Sequence, residues 1–422
     1  MLAGIAEPLI GLADTAILGN LPDHSTAALA AVGIATQFFL FMFWTFVQSE
    51  TALSSIVARF LGQKEVNKLE PLVNQGLALN VIVGMILFVG TTAASRWIFG
   101  LYNAEGLQLD YAVAYYDVRA LGFPVVLAMG ALWGVFRGLQ NTSWAMVIML
   151  IGGATNLVLD IVLVYGIEDL IPAYGVVGAA WASFAAQCLM LLITIFVMVK
   201  KTSFRLRRWW PIHEKFAHLL GLSGNFIIRT IALNLVLFLA SARATDLGAP
   251  QMAAHAIAMQ LWLLSAFFLD GYANAGLAIG GKLLGEKRFK ALDNLTGRLV
   301  KIGMFVALAI MLGYSGVYYW IGTWFSNDPV VVEQFNRVFW LVILCQPLSS
   351  LAFTLDGLLK GLAEGKYLML MMVVGLVVFW LILHAVGLFT NSFESVWVAL
   401  LGWMAIRSIW PYLFFRRNYG GR

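Results

Sequence analysis

Twelve stretches of mostly apolar residues follow one another almost end to end, at roughly 2 to 19, 31 to 58, 72 to 97, 111 to 136, 144 to 166, 173 to 199, 217 to 244, 251 to 280, 296 to 324, 335 to 358, 367 to 390 and 394 to 415. Each is close to the ~20 residues with which an α-helix crosses a bilayer. With 12% charged residues and 61% hydrophobic ones, the chain departs from soluble domains, where about a quarter of residues are charged. Twelve spans in 422 residues leave no room for a large soluble domain. Forty glycines, ten prolines and runs longer than a strand favour packed helices over a barrel, whose strands alternate apolar and polar residues. Cys188 and Cys345 lie in separate apolar segments, so neither a disulfide framework nor a cysteine metal cluster is expected.

The placement of basic residues orients the spans. Linkers after even-numbered spans carry Lys64 and Lys68, Arg137 nearby, then Lys200, Lys201, Arg205, Arg207, Arg208 and Lys215, then Lys287, Arg288 and Lys290, then Lys366, and a tail with Arg416, Arg417 and Arg422. The opposite linkers hold Asp23, Glu105, Asp110, Glu168, Asp169, Asp246, Asp328, Glu333 and Glu394. Both termini are therefore expected in the cytoplasm, in a multi-pass protein of the inner (plasma) membrane. The basic run at 200 to 208 reads as an orientation signal that touches anionic lipid, and no nucleic-acid partner is expected. The first stretch lacks a basic leader and is interrupted by Glu7 and Asp14, which makes it a poor signal peptide. It is short and starts at Met1, so an upstream start is expected to be missing.

An internal repeat divides the chain. Ala30-Ala31-Val32-Gly33-Ile34-Ala35-Thr36-Gln37 recurs as Ala253-Ala254-His255-Ala256-Ile257-Ala258-Met259-Gln260, an offset of 223. The same offset carries Arg59-Phe60-Leu61-Gly62 to Lys282-Leu283-Leu284-Gly285, Pro124 to Pro347, and Arg137-Gly138 to Lys360-Gly361. The expected fold is an all-α polytopic membrane protein of twelve transmembrane helices in two six-helix bundles: a lobe over 1–199, a basic cytoplasmic linker over 200–216, and a lobe over 217–422 with a short basic tail. Six is even, so both bundles insert in the same sense, related by a pseudo-twofold along the membrane normal, as in secondary transporters that rock two halves about a central cavity.

Ionisable groups at membrane depth are expensive and mark function by default. The carboxylates within spans are Glu7, Asp14, Glu50, Asp160, Asp270 and Asp356. Asn156 and Asp160 are four apart and share a helix face, in the outer half of the fifth span. Asp14 and Ser183 fall at a similar depth on the first and sixth. The repeat puts Leu237, Phe379, Leu383 and Ile406 at the matching places, so this polar group belongs to the first lobe alone. Two carboxylates crowded in a dry pocket cannot both stay ionised without a proton or cation between them. A proton can neutralise Asp14 or Asp160, and a sodium ion would accept oxygens from both carboxylates, Asn156 and Ser183; the competing reading is a hydrogen-bonded network that only fixes helix packing. Arg229 and Asp270 come out at similar depth toward the inner side and are expected to pair, in a structural or gating role. Asp356 and Lys360, also four apart, read as an interfacial salt bridge. Glu7 and Glu50 have no evident partner. The 15 Trp, 29 Phe, 13 Tyr and 16 Met mostly pack or sit at the interfaces; a minority lining a cavity would suit flat or cationic guests.

The runs Arg119-Ala120-Leu121-Gly122-Phe123-Pro124, Phe136-Arg137-Gly138-Leu139-Gln140-Asn141-Thr142, Asn156-Leu157-Val158-Leu159-Asp160 and Gly178-Ala179-Ala180-Trp181-Ala182-Ser183 resemble the multidrug and toxic compound extrusion (MATE) family. Pro8-Leu9-Ile10-Gly11-Leu12-Ala13-Asp14-Thr15-Ala16 and Leu269-Asp270-Gly271-Tyr272-Ala273 are similar to its DinF-like branch. The resemblance spans nearly the whole chain. It implies an antiporter, not an enzyme, that exports amphipathic, often cationic compounds in exchange for protons or sodium ions, with the coupling-ion site of that branch falling here on Asp14, Asn156, Asp160 and Ser183. No cofactor beyond the coupling ion is expected, with the proton preferred over sodium; membrane lipids are the expected surroundings and a monomer the expected state. Two departures stand out: a proline of the family's first helix would fall before Met1, and Gly276 stands where the family often has a Glu after its Leu-Asp-Gly motif.

The expected cycle places a drug beside ionised Asp14 in an outward-facing cavity; ion entry neutralises the carboxylate, the first helix repacks, and the drug leaves. One rival is a flippase for lipid-linked precursors, which would be expected to show more intramembrane Arg and Lys. The other, an intramembrane aspartyl protease using Asp14 and Asp160, lacks the Gly-x-Gly-Asp motif.

Overall fold

The computed structural model describes residue 17 and residues 25–167, 170–206, 209–389 and 392–420. Apart from Ile17, the first expected span, with Glu7 and Asp14, lies outside the described residues, as do Asp23, Glu168, Asp169, Arg207, Arg208 and Arg422. The described helices are α1 (Ser25–Phe46), α2 (Ser49–Gly62), α3 (Glu70–Ala93), α4 (Ser95–Leu101), α5 (Gly106–Ala120), α6 (Gly122–Gly138), α7 (Ser143–Tyr165), α8 (Gly175–Lys201), α9 (Phe216–Leu247), α10 (Ala249–Gly285), α11 (Phe289–Gly316), α12 (Tyr318–Phe325), α13 (Pro329–Gly361), α14 (Gly365–Phe389) and α15 (Glu394–Asn418). Ten helices among the described residues are long and apolar enough to cross a membrane, and the bent pair α5 and α6 makes an eleventh. The chain is an all-α multi-pass membrane protein.

The repeat read from the sequence recurs in the helix boundaries. An offset of 223 carries the short helix α4 from Ser95 onto Tyr318, where α12 starts, and carries Gly106 and Gly138, the limits of α5 and α6, onto Pro329 and Gly361, the limits of α13. The two copies differ in continuity. The fourth expected span breaks at Leu121, with a bend of 43° between α5 and α6. Pro124 stands at the third position of α6, where it has no amide to bond the Ala120 carbonyl and its ring crowds that carbonyl, which favours the break. Pro347 sits inside α13, which runs on as one helix.

The chain divides into two compact units, Met1–Val57 with Glu65–Leu220, and Ala58–Lys64 with Gly221–Arg422. In the first unit, Gly130, Gly134 and Gly138 form a stripe of small residues on α6 on which the start of α2 lies. A Cβ at Gly134 would collide with the Glu50 carbonyl, and one at Gly138 would fall 2.7 Å from that of Ser54. In the second unit, Gly357 and Gly361 of α13 meet the carbonyls of Ala273 and Leu277 on α10 in the same way. Glu50 and Ser54 plus 223 are Ala273 and Leu277, so the same close helix crossing is built twice. Helices in lipid have no hydrophobic drive toward one another, and small residues that let backbones approach supply the packing instead.

The basic linker is fastened to the first unit. Gln75 Nε2 donates to the carbonyls of Trp209 and Pro211, each at 3.0 Å, the His213 amide donates to Gln75 Oε1 at 3.1 Å, and Asn74 Nδ2 donates to the Arg205 carbonyl at 2.9 Å. The division between the units accordingly falls at 220, a few residues past the expected start of the second lobe at 217.

Candidate functional site

The polar group expected in the first lobe is built on α7 and α8, which pack as antiparallel neighbours. Their closest approaches are made by Gly178, where a Cβ would run into the Leu163 carbonyl, and by Gly152, where one would run into the Met190 side chain. These two pairs set the register: 163 lies opposite 178 and 152 opposite 190, so Ser183 stands level with positions 158 and 159, within about one turn of Asp160. Asn156 Nδ2 donates to Asp160 Oδ2 at 2.6 Å. Asp160 is 1% exposed, and Asn156 and Ser183 are buried with it. Three of the four expected site residues thus share one depth of one helix pair. The fourth, Asp14, lies outside the described residues. Ile17, three positions later in the chain, accepts a hydrogen bond from the Tyr165 hydroxyl at 2.8 Å, five positions beyond Asp160 on α7.

Gln187 was not anticipated. It follows Ser183 by one turn of α8 and is buried, with Oε1 against Gly122 of α6; the signal in the sequence was its i, i+4 spacing from Ser183. The donor set of Asp160, Asn156 and Ser183 consists of a carboxylate, a side-chain amide and a hydroxyl. Oxygen ligands of this kind suit a hard cation or a proton and not a soft metal. Among the described residues there is no group of three His, Cys, Asp or Glu side chains that could hold a metal ion. At the matching places of the second unit, Phe379 and Leu383 are buried apolar side chains.

The second unit carries a different cluster, and it corrects the expected pairing of Arg229 with Asp270. Arg229 on α9 instead donates from Nε and Nη2 to Asp356 Oδ1, at 3.0 and 2.6 Å. Lys360 approaches Asp356 Oδ2 at 2.8 Å. Asp270 is exposed and accepts from Asn274 one turn along its own helix, at 2.8 Å. Position along a helix says nothing of rotation about its axis, which turns Asp356 toward Arg229. The expected bridge between Asp356 and Lys360 is therefore formed, with Asp356 buried. Arg407 on α15, also buried, completes the cluster; a lone arginine inside the twelfth apolar stretch was the overlooked signal.

Glu50 has a partner after all. Arg137 Nη2 donates to Glu50 Oε1 across the α2 and α6 crossing, where the glycine stripe brings the two helices together. The two residues are 87 apart in the chain, and no spacing rule links side chains on different helices.

Comparison with known proteins agrees with this architecture. A family pattern described as MatE matches residues 1–162 and again residues 226–386, one match in each half. DNA damage-inducible protein F of Escherichia coli (strain K12) is 26% identical over 99% of this chain and 90% of its own length. Protein DETOXIFICATION 43 of Arabidopsis thaliana is 30% identical over 79% of this chain and 62% of its own length. The chain spans roughly three fifths of the length of Protein DETOXIFICATION 43, 42 and 45 of that plant. Among solved structures, "Crystal structure of MATE in the bent conformation" superposes with a TM-score of 0.91 at 20% identity, covering 99% of this chain and 93% of that one; it has the same fold.

Proposed function

The chain belongs to the multidrug and toxic compound extrusion family, and from that premise we propose that it exports amphipathic, often cationic compounds in exchange for protons by alternating access, with sodium ions as the alternative coupling ion. The observation that carries the reading is the Asn156–Asp160 pair, buried beside Ser183 on α7 and α8 in one unit of a duplicated scaffold whose other unit has Phe379 and Leu383 at those places. A duplicated fold needs only one such polar site if that site does chemistry the scaffold does not require.

A buried carboxylate is costly while charged and unpaired, so Asp160 alternates between holding an ion and holding charge on behalf of the cargo. Asp14, in the first expected span, is the proposed second carboxylate. Asn156 donates to Asp160 and orients it, and Ser183 offers a hydroxyl that donates to a charged carboxylate or turns its oxygen to a bound cation. Entry of a proton or sodium ion from outside neutralises the carboxylates, and a cationic guest loses its counter-charge and is released. Each monovalent cation moving inward gains roughly 2.3 kcal/mol per 100 mV of membrane potential. With both termini in the cytoplasm, as the basic linkers favour, that release is to the exterior.

The test is transport in proteoliposomes with proton and sodium gradients imposed separately, comparing the wild type with Asp14→Asn, Asp160→Asn and, as a control for general damage, Asp270→Asn. Both site variants are expected to lose gradient-driven export by about tenfold or more, while Asp270→Asn keeps it. Wild-type export by Asp14→Asn and Asp160→Asn under either gradient would refute the site.

A further inference from the structure

The short helices α4 and α12 follow α3 and α11 at matching places of the repeat, and they differ in what lies beneath them. Trp97 on α4 and Trp320 on α12 are 223 apart, and both are exposed. Tyr319 and Trp324 are exposed beside Trp320. Exposed aromatic side chains clustered at the end of a span sit at the level of the lipid headgroups, so a space directly beneath α12 lies at the depth of acyl chains.

Beneath α4 that space is filled. Phe99 is buried against Phe38 of α1 and Tyr116 of α5, with ring centroids 6.2 and 5.2 Å apart. Beneath α12 the offset puts Gly322 in place of Phe99 and Leu261 in place of Phe38. Phe335 packs against Gly322, and beside it a groove of about 430 Å³ remains between α10, α11 and α12, lined among others by Leu261, Leu264, Ser265, Ile310, Tyr314 and Trp324. Sites for small ligands span roughly 300–1,000 Å³. The polar atoms in the groove are already spent. Ser265 Oγ and the Tyr314 hydroxyl both donate to the Leu261 carbonyl, at 3.0 and 2.9 Å, and lie 3.1 Å from each other. No charged side chain lines the groove among the described residues. An amphipathic cation would find rings to stack on but no counter-charge; an alkyl chain needs none.

The groove occupies the last two turns of α11, with Ile310 about 9 Å short of the helix end at Gly316. The exposed side chains of the same span include Ile302, Phe305, Leu308 and Leu312, an apolar face that acyl chains cover. Gly313, beside Leu312, lines the groove, so the groove opens onto that lipid-covered face.

We propose that this groove holds one acyl chain of a bilayer lipid, from the leaflet on the side of α12, seated between α10 and α11 with α12 above it. The chain takes the place that Phe38 and Phe99 fill in the first unit and completes the packing of α12 onto its bundle. The site is separate from the polar group on α7 and α8.

The experiment uses the full chain in nanodiscs containing a phosphatidylethanolamine with a photoactivatable diazirine midway along one acyl chain. After illumination, labelled residues are mapped by mass spectrometry. Labelling is expected to concentrate on residues 261–268 and 310–317, well above that of Ile302 and Phe305 on the open face of α11. Nothing lies within 4 Å of where a Cβ on Gly313 would stand, so Gly313→Phe places its ring in the groove. This variant is expected to lower labelling of 261–268 by about fivefold or more; Gly313→Leu stands in if it does not fold. Gly297→Phe, near the other end of α11 and equally open, is expected to leave that labelling unchanged, which separates loss of the groove from damage to the helix. Saturating ethidium, an amphipathic cation, is also expected to leave it unchanged. Displacement of the lipid by ethidium would assign the groove to cargo and overturn the proposal. Labelling spread evenly along α11, or labelling of 261–268 in the Gly313 variants equal to the wild type, would overturn it as well.

Discussion

Replacing Asp356 by Asn tests how much of the second unit depends on a single carboxylate. The wild-type group accepts three charge-assisted bonds, at 2.6, 3.0 and 2.8 Å, from two cations that have been taken out of water. Asn keeps the size and loses the charge, leaving Arg229, Lys360 and Arg407 facing one another. Breaking a buried pair by removing one partner costs about 3–5 kcal/mol. At 1.36 kcal/mol per factor of ten, the opening equilibrium of the unit rises by about two to three and a half powers of ten. Lys360→Met should do less, about 1.5–3 kcal/mol, because Arg229 stays on Asp356. The two native cysteines read this out separately: Cys345 is buried in α13 of the second unit, and Cys188 lies on α8 of the first. Where opening is fast relative to labelling, the rate of alkylation follows the population of the open form. Asp356→Asn is expected to accelerate Cys345 labelling at least a hundredfold and leave Cys188 unchanged. A Cys345 acceleration below about tenfold, or a parallel rise at Cys188, would refute the reasoning.

Gly134→Ala and Gly357→Ala are both expected to destabilise, by about 1–3 kcal/mol each, since the new methyl meets a backbone carbonyl that cannot turn aside; Gly90→Ala, with open space around it, should be neutral or gain up to about 1 kcal/mol, and thermal unfolding in detergent ranks the three. Gln75→Ala removes three hydrogen bonds that fasten the linker, so trypsin should cut at Arg205 or Lys215 roughly tenfold faster than in the wild type, with about 1–3 kcal/mol of anchoring lost; unchanged digestion would mean the linker is held elsewhere.

Much of the architecture was legible because lipid leaves the chain few options. Apolar runs located the helices, and one offset of 223 located the duplication. What the sequence could not convey was rotation and continuity. Pro124 and Pro347 occupy matching places, yet only the first coincides with a break, because breaking depends on whether neighbouring helices hold the two arms in line. Asp160 and Asn156 were found since four residues along one helix define a face without any tertiary knowledge. Arg229, Glu50 and Arg407 were misassigned or missed for the opposite reason: their partners lie on other helices, and polarity at a given depth does not say which way a side chain points. Gln187 stood within reach of the same spacing argument that found Asp160.

The central claim is that the buried carboxylate on α7 links an ion to cargo, and linkage is reciprocal. The most direct measurement is therefore the reverse of export: proteoliposomes with no ion gradient, a pH-sensitive dye inside, and a gradient of an amphipathic cation such as ethidium as the only driving force. The wild type should move protons in the direction opposite to the cation, and Asp160→Asn, whose neutral side chain mimics the ion-bound carboxylate, should not, and should bind ethidium more weakly. Cation-driven proton movement of wild-type size in Asp160→Asn, with sodium absent, would contradict the account.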